Sequence, residues 1–238
     1  MYKKFRLGTT IILILAAITI FFYVPVVWGD PGYPNASGYI SDTTLATPTP
    51  TPFPNAYGAI YQWGTAVQAR IETADPEVYQ GWSCVRIFGG VPGPPWLGGS
   101  VECGWVKYTD GGIWGFTQSM VPGQNPTMKT WGRQYPGQTH TYLIKRKGAG
   151  TGRWKYYIDD LTTPIDTRYA GFDVTGMEGC GGEVYSLANS IGVSGCLDNQ
   201  YRDANKVWHY YMYTHVREDY PYHVVPLPPY SWQVYGGQ

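Results

Sequence analysis

Charge is scarce in this chain. Only 14% of its 238 residues are Asp, Glu, Lys or Arg, and the 17 basic side chains balance the 17 acidic ones. Without Lys3, Lys4 and Arg6 at the N-terminus the balance falls to −3. A nucleic-acid-binding surface needs a basic patch, so no nucleic-acid partner is expected. Histidine is rarer still. His209 and His215 fall on one side of an alternating stretch, but at ~3.3 Å per residue they stand roughly 20 Å apart, too far to ligate one ion. His140 and His223 are isolated. The chain has no C-x-x-C pair, no H-E-x-x-H, no G-x-S-x-G and no G-x-x-x-x-G-K-[ST]. Those absences exclude the usual zinc frameworks, the serine nucleophile elbow and the nucleotide-binding P-loop. Neither a metal nor another cofactor is expected. Long helical periodicity is missing too, which argues against a helical fold.

Aromatic and turn residues are what the chain has in quantity. Phe, Trp and Tyr make up 16% of it, with 22 Tyr and 10 Trp, alongside 31 Gly and 19 Pro. Short apolar, β-branched and aromatic runs recur between turn clusters. They predict strands over 65–71, 81–88, 100–108, 115–120, 139–147 and 153–158. The longest predicted strand is 206–217, where Trp208, Tyr210 and Met212 alternate with His209, Tyr211, Tyr213 and His215. Many short strands with regular turn signals and no fixed repeat predict an all-β fold, an antiparallel sandwich or barrel.

Three regions follow from composition. Residues 1–29 begin with a basic hexapeptide and continue as an apolar run, the pattern of a cleaved signal peptide or a retained membrane anchor. Either sends the rest of the chain out of the cytoplasm, and the second would tether it to a membrane. Residues 30–56 form a linker around Thr47-Pro48-Thr49-Pro50-Thr51-Pro52, whose alternation favours extended polyproline geometry and cannot build a core. Residues 57–238 are long enough for one domain with a sizeable core. Four cysteines in an exported chain suggest two disulfides. Cys84 and Cys103 flank a Gly/Pro loop on consecutive predicted strands, and Cys180 and Cys196 close a short loop. That favours 84–103 and 180–196 over the other two connectivities.

Two carboxylates interrupt apolar stretches. Val101-Glu102-Cys103-Gly104-Trp105-Val106 and Cys180-Gly181-Gly182-Glu183-Val184 each carry one acid beside glycine. On a strand, side chains two apart share a face. Glu102 then lies with Ser100, Gly104 and Val106, and Glu183 with Gly181, Tyr185 and Leu187. The glycines would leave room above the sheet for a substrate backbone. An ordinary solvent-facing glutamate on a one-sided sheet is the plain alternative.

Read in order, three segments resemble the neprosin-type glutamic peptidases. The first is Tyr61-Gln62-Trp63-Gly64-Thr65-Ala66-Val67-Gln68-Ala69-Arg70-Ile71 followed by Pro76-Glu77-Val78. The second is Val101–Val106, similar to an apolar-Glu-x-Gly-Trp-x-Val motif. The third is Gly181-Gly182-Glu183-Val184. Between them, Thr151-Gly152-Arg153-Trp154 resembles a Thr-Gly-x-Trp strand. The resemblance implies a concanavalin-like sandwich of two large antiparallel sheets, with Glu102 and Glu183 as the catalytic pair. The chain departs from the family in lacking the long N-terminal activation domain and the Tyr-Gly-Asp after the second motif. It also carries Arg86 where the family has Gln in a Ser-x-Ser-Gln-x-Trp strand.

The function expected on this basis is an exported acid endopeptidase acting on peptide or protein substrates. Two carboxylates in one cleft would share a proton, one as general base on water and the other as acid. Trp105, Tyr185 and Trp154 are candidate walls of the substrate groove, and family members that cleave after proline imply a proline-accepting pocket. The competing expectation is a non-catalytic carbohydrate-binding sandwich whose aromatics stack on sugar rings. Oligomeric state has no signature in the sequence.

Overall fold

The computed structural model describes residues 53–91 and 98–237. The signal or anchor segment and nearly all of the linker lie outside the described residues. The linker's last residues do not behave as a spacer. Phe53 is buried, and β1 (Asn55–Ile60) begins before the boundary drawn at residue 57.

Two antiparallel sheets form a sandwich, as the turn-rich alternating sequence predicted. The seven-stranded sheet is built from β1, β3 (Trp82–Val91), β4 (Gly99–Tyr108), β5 (Ile113–Met120), β6 (Thr127–Arg133), β10 (Met177–Val184) and β13 (His215–Glu218). They run in the order β13-β1-β10-β3-β4-β5-β6. The eight-stranded sheet holds β2 (Gly64–Glu72), β7 (Thr139–Arg146), β8 (Arg153–Ile158), β9 (Asp166–Tyr169), β11 (Ser194–Asp203), β14 (Tyr222–Leu227) and β15 (Ser231–Gly236) along one path, and β12 (Trp208–Tyr210) pairs with β11 beside that path.

The two-residue period decides which face each side chain takes. Val85 and Ile87 of β3, Val101, Cys103 and Trp105 of β4, and Cys180 and Val184 of β10 belong to the main core between the sheets. Their alternates turn to the outer face of the seven-stranded sheet. There Cys84, Val106 and Phe116 form one small cluster, and Tyr57, Ala59 and Phe88 another. A disulfide between Cys180 and Cys196 joins β10 to β11, and so one sheet to the other.

Three sequence expectations fail here for identifiable reasons. Cys84 and Cys103 are free thiols, not a disulfide. In the β3–β4 ladder Cys84 stands opposite Val106 and Cys103 opposite Ile87, so the two sulfurs project from opposite faces of the sheet. The predicted strand 206–217 is two strands in two sheets: β12 pairs with β11 and β13 with β1. Its alternation persists across the break because Tyr211 and Tyr213 both pack on Trp232, at ring-centroid distances of 5.8 and 5.4 Å. Finally, the strand that carries Glu183 does not run on through Tyr185 and Leu187. Glu183 is the next-to-last residue of β10, and Tyr185 and Leu187 are exposed beyond the strand end.

Candidate active site

Glu102 and Glu183 are brought together on the outer face of the seven-stranded sheet. β3 runs between their strands, with Glu102 opposite Phe88 and Glu183 opposite Cys84. Arg86 lies midway between those two positions on β3 and points to the same face. Its Nε is 3.0 Å from Glu102 Oε2, and its Nη2 is 2.8 Å from Glu183 Oε2. Nε and Nη2 are adjacent donors of one planar fork, so the two carboxylate oxygens they hold are neighbours. Asn55 of β1, the register partner of Glu183, offers Oδ1 to Arg86 Nη2 at 3.5 Å. From the other side the Gln118 amide donates to Glu102 Oε2 at 3.2 Å.

The three charged side chains are nearly withdrawn from water: Arg86 is 2% exposed, Glu102 1% and Glu183 3%. Buried charges persist when they are paired and hydrogen-bonded, as these are. Both carboxylates nevertheless line a small cleft of about 40 Å³. Its other walls are mostly apolar, formed by Phe53, Trp82, Cys84, Val106, Phe116, Pro126 and Met128, with the Gln118 amide as the remaining polar group. Burial pushes the Cys84 thiol up to about 12, against the lowering effect of nearby Arg86, so it faces the acids as a neutral S–H.

The sequence placed some groups correctly and others not. The shared side of Glu102 with Ser100, Gly104 and Val106 follows from strand parity. Trp105, an odd number of residues from Glu102, points the other way: it is fully buried in the core, and its indole N–H donates to Glu72 O at 3.0 Å. Trp154 is likewise a core residue, donating to Phe172 O at 2.9 Å. Neither walls the groove. Tyr185 lies beyond the β10 end and does not line the cleft either; its ring packs 5.4 Å from that of Phe53, which does. The glycines beside the acids do not clear space for a ligand. A Cβ at Gly104 would fall on Val85 O, and one at Gly181 on Ala56 O and Tyr57. Both glycines let neighbouring strands approach closely, a known use of glycine inside a sheet.

Sequence reasoning also missed site residues. Phe53 was assigned to the linker, Met128 and Pro126 lie in or beside a polar-looking edge strand, and Gln118 carried no motif. Arg86 was visible as a departure from a family pattern. Its role could have been read from parity, since residues 84, 86 and 88 must share a face with whichever acids flank β3.

Paired carboxylates thus stand beside a small, mostly apolar cleft on one face of a two-sheet antiparallel sandwich. Among solved structures, the chain is similar to scytalido-glutamic peptidase bound to a peptide-based transition-state analogue, with a TM-score of 0.51, and to the same peptidase with a transition-state-analogue inhibitor, with a TM-score of 0.52. Each match has 10% sequence identity and covers 76% of this chain and 96% of the other. The likeness is one of fold: the two-sheet antiparallel sandwich is shared with that peptidase. No protein-family model matches the sequence, and no curated protein matches it.

Proposed function

We propose that the protein is an exported acid endopeptidase whose catalytic pair is Glu102 and Glu183. The observation that carries this reading is their convergence on the guanidinium of Arg86 beside a small, mostly apolar cleft. The fold likeness to a glutamic peptidase and the neprosin-type motifs around both acids support the same class. Fold alone does not assign function, so the weight rests on the site.

In the reaction one carboxylate is ionised and removes a proton from water as the water oxygen attacks the peptide carbonyl carbon. The other is protonated and gives its proton to the leaving amine as the C–N bond breaks. The products are a free carboxyl group and a free amine, and the proton taken from water replaces the one donated. The Gln118 amide, a neutral donor within the cleft, is placed to help orient the carboxylate that accepts from it. The apolar walls hold substrate side chains and exclude bulk water, which strengthens electrostatic interactions inside. Proline is one of the apolar residues such walls accept. The basic start and apolar run of the N-terminus support delivery outside the cytoplasm.

The test is cleavage of an unfolded protein at about pH 3–5, where carboxyl groups titrate. Glu102→Gln and Glu183→Gln should each abolish cleavage while leaving the sandwich folded by circular dichroism. Full activity in either variant would remove that residue from the mechanism. Binding of glycans that survives both substitutions, with no cleavage by the wild type, would favour a sugar-binding module instead.

A further inference from the structure

We infer that Arg86 is the positioning residue that sets the working pH of the site, acting as a built-in counter-ion where a bare pair of glutamates would rely on a shared proton. Two unscreened carboxylates side by side cannot both ionise easily, and one keeps its proton to higher pH than a lone carboxylate would. Here the contact between them is filled by a guanidinium, which stays charged throughout the accessible range. The Oε2 atoms of Glu102 and Glu183 each take one of its adjacent donors, at 3.0 and 2.8 Å.

Few other groups compete for this role. On β3 itself the neighbours on the same face are the Cys84 thiol, held neutral, and the Phe88 ring, 5.6 Å from the guanidinium carbon. β1 contributes Asn55 and the Tyr57 phenol ring, which packs on Phe88 at 5.2 Å. β5 contributes the neutral Gln118 amide. Beyond β1, Asp219 of the segment after β13 is engaged by Arg217, with Nη2 2.9 Å from Oδ2, and by the Asn55 backbone N–H at 3.0 Å. Arg86 is thus the positive charge in contact with both acids among the described residues.

The consequence is directional. With Arg86 present, two charged carboxylates and one guanidinium leave a single net negative charge, so the pair has little drive to take up a proton near neutrality. The form with one acid and one base appears only in more acidic solution, and the enzyme works there. Replacing Arg86 by a neutral residue restores the mutual repulsion, and the same proton is taken up at higher pH. The titration itself does not depend on catalysis. Only the activity measurement rests on reading Glu102 and Glu183 as catalytic.

The experiment is a carboxyl-carbon NMR titration of protein labelled with 13C at the glutamate carboxyl, with the two signals assigned from Glu102→Gln and Glu183→Gln. In the wild type both carboxylates should remain charged at about pH 5, above the ordinary glutamate range. In Arg86→Gln the first proton should arrive at least about one pH unit higher, a tenfold change in proton affinity. Arg86→Lys, which keeps the charge, should titrate like the wild type. A wild type already carrying one proton on the pair at about pH 5, or an Arg86→Gln titration that does not move, would overturn the inference. If Arg86→Gln fails to fold, the wild-type titration decides the question alone. In parallel, the alkaline limb of the peptide-cleavage profile should move upward in Arg86→Gln by the same interval. A wild type that cleaves no peptide at any pH would defeat the catalytic reading and leave the counter-ion role to the titration.

Discussion

Gln118 and Glu102 face each other directly across the β4–β5 ladder, and the Gln118 amide donates to Glu102 Oε2 at 3.2 Å. That oxygen also carries the Arg86 contact. One carboxylate oxygen is therefore held by a charged donor from β3 and a neutral donor from β5. The arrangement fixes the orientation of Glu102 from two strands, and neither donor depends on a mobile loop.

Removing the neutral donor gives the first prediction. Gln118→Leu keeps the volume and leaves the ion pair with Arg86 intact, so the fold should survive, with a thermal midpoint lowered by several degrees. The loss of a hydrogen bond to a charged acceptor is worth about 1.5–3 kcal/mol. If the orientation matters to the reacting group, kcat/KM for an unfolded protein substrate should drop by roughly tenfold to a hundredfold. Unchanged kcat/KM would show that Arg86 alone orients Glu102.

Glu178 on β10 predicts a pH-dependent stability. It is fully buried with a single hydrogen bond from the Thr175 hydroxyl, and its Oε2 has no partner. Burial pushes its carboxyl from 4.5 to about 8, only partly opposed by Thr175. The folded group is thus neutral where the unfolded one is already ionised. Its contribution to stability is complete below about 4.5, shrinks as pH rises, and is gone once pH passes about 8. At roughly 1.4 kcal/mol per unit the effect is at most about 5 kcal/mol. Denaturant midpoints should fall from acid to mildly alkaline solution, and Glu178→Gln should flatten that slope. Equal slopes for the two proteins would assign the pH dependence elsewhere.

The cysteines give a third prediction. Cys180–Cys196 ties the two sheets across a separation of 16 residues. A loop of that size stabilises by about 3 kcal/mol in the chain-entropy account. Cys180→Ser with Cys196→Ser should lower the unfolding free energy by that order. Alkylation in denaturant without reductant, read by mass, should tag Cys84 and Cys103 and spare the other two. Four protected cysteines would restore the 84–103 bridge expected from the sequence.

What was legible in the sequence follows from how locally each feature is encoded. Strand runs such as 100–108 and 139–147 declared themselves because alternation and turn residues act over a few positions. The two acids stood out because a charge in an apolar run is costly unless it is used. Facing cysteines and groove aromatics were misread because proximity along the chain was weighed above parity. Cys84 and Cys103 are correctly placed on neighbouring strands and wrongly assumed to share a side, and Trp105 fails for the same reason beside Glu102. Phe53 and Met128 were not legible at all. They reach the cleft only because β1 and β6 pack into the same sheet as the acids, which no local pattern states.

Met128 supplies the last prediction. It lies on β6, the edge strand of the seven-stranded sheet, directly opposite Gln118, and is 40% exposed while lining the cleft. A polar replacement there alters the cleft wall at small structural cost, since exposed edge positions usually change stability by about 0.5 kcal/mol or less. Met128→Thr should therefore leave the unfolding midpoint nearly unchanged and weaken cleavage of peptides that seat an apolar side chain in the cleft. A pocket change of this kind is worth about 1–3 kcal/mol, or roughly tenfold to a hundredfold in kcat/KM. Peptides with a polar side chain at the same position should be affected less, and that difference is the signature of direct contact. Trp105→Phe makes the opposite case. Deep in the core, it removes a ring and the hydrogen bond to Glu72 O, so stability should fall while the ratio between the two peptides stays fixed. If instead Met128→Thr slowed both peptides equally, the apolar cleft would not be where substrate side chains bind.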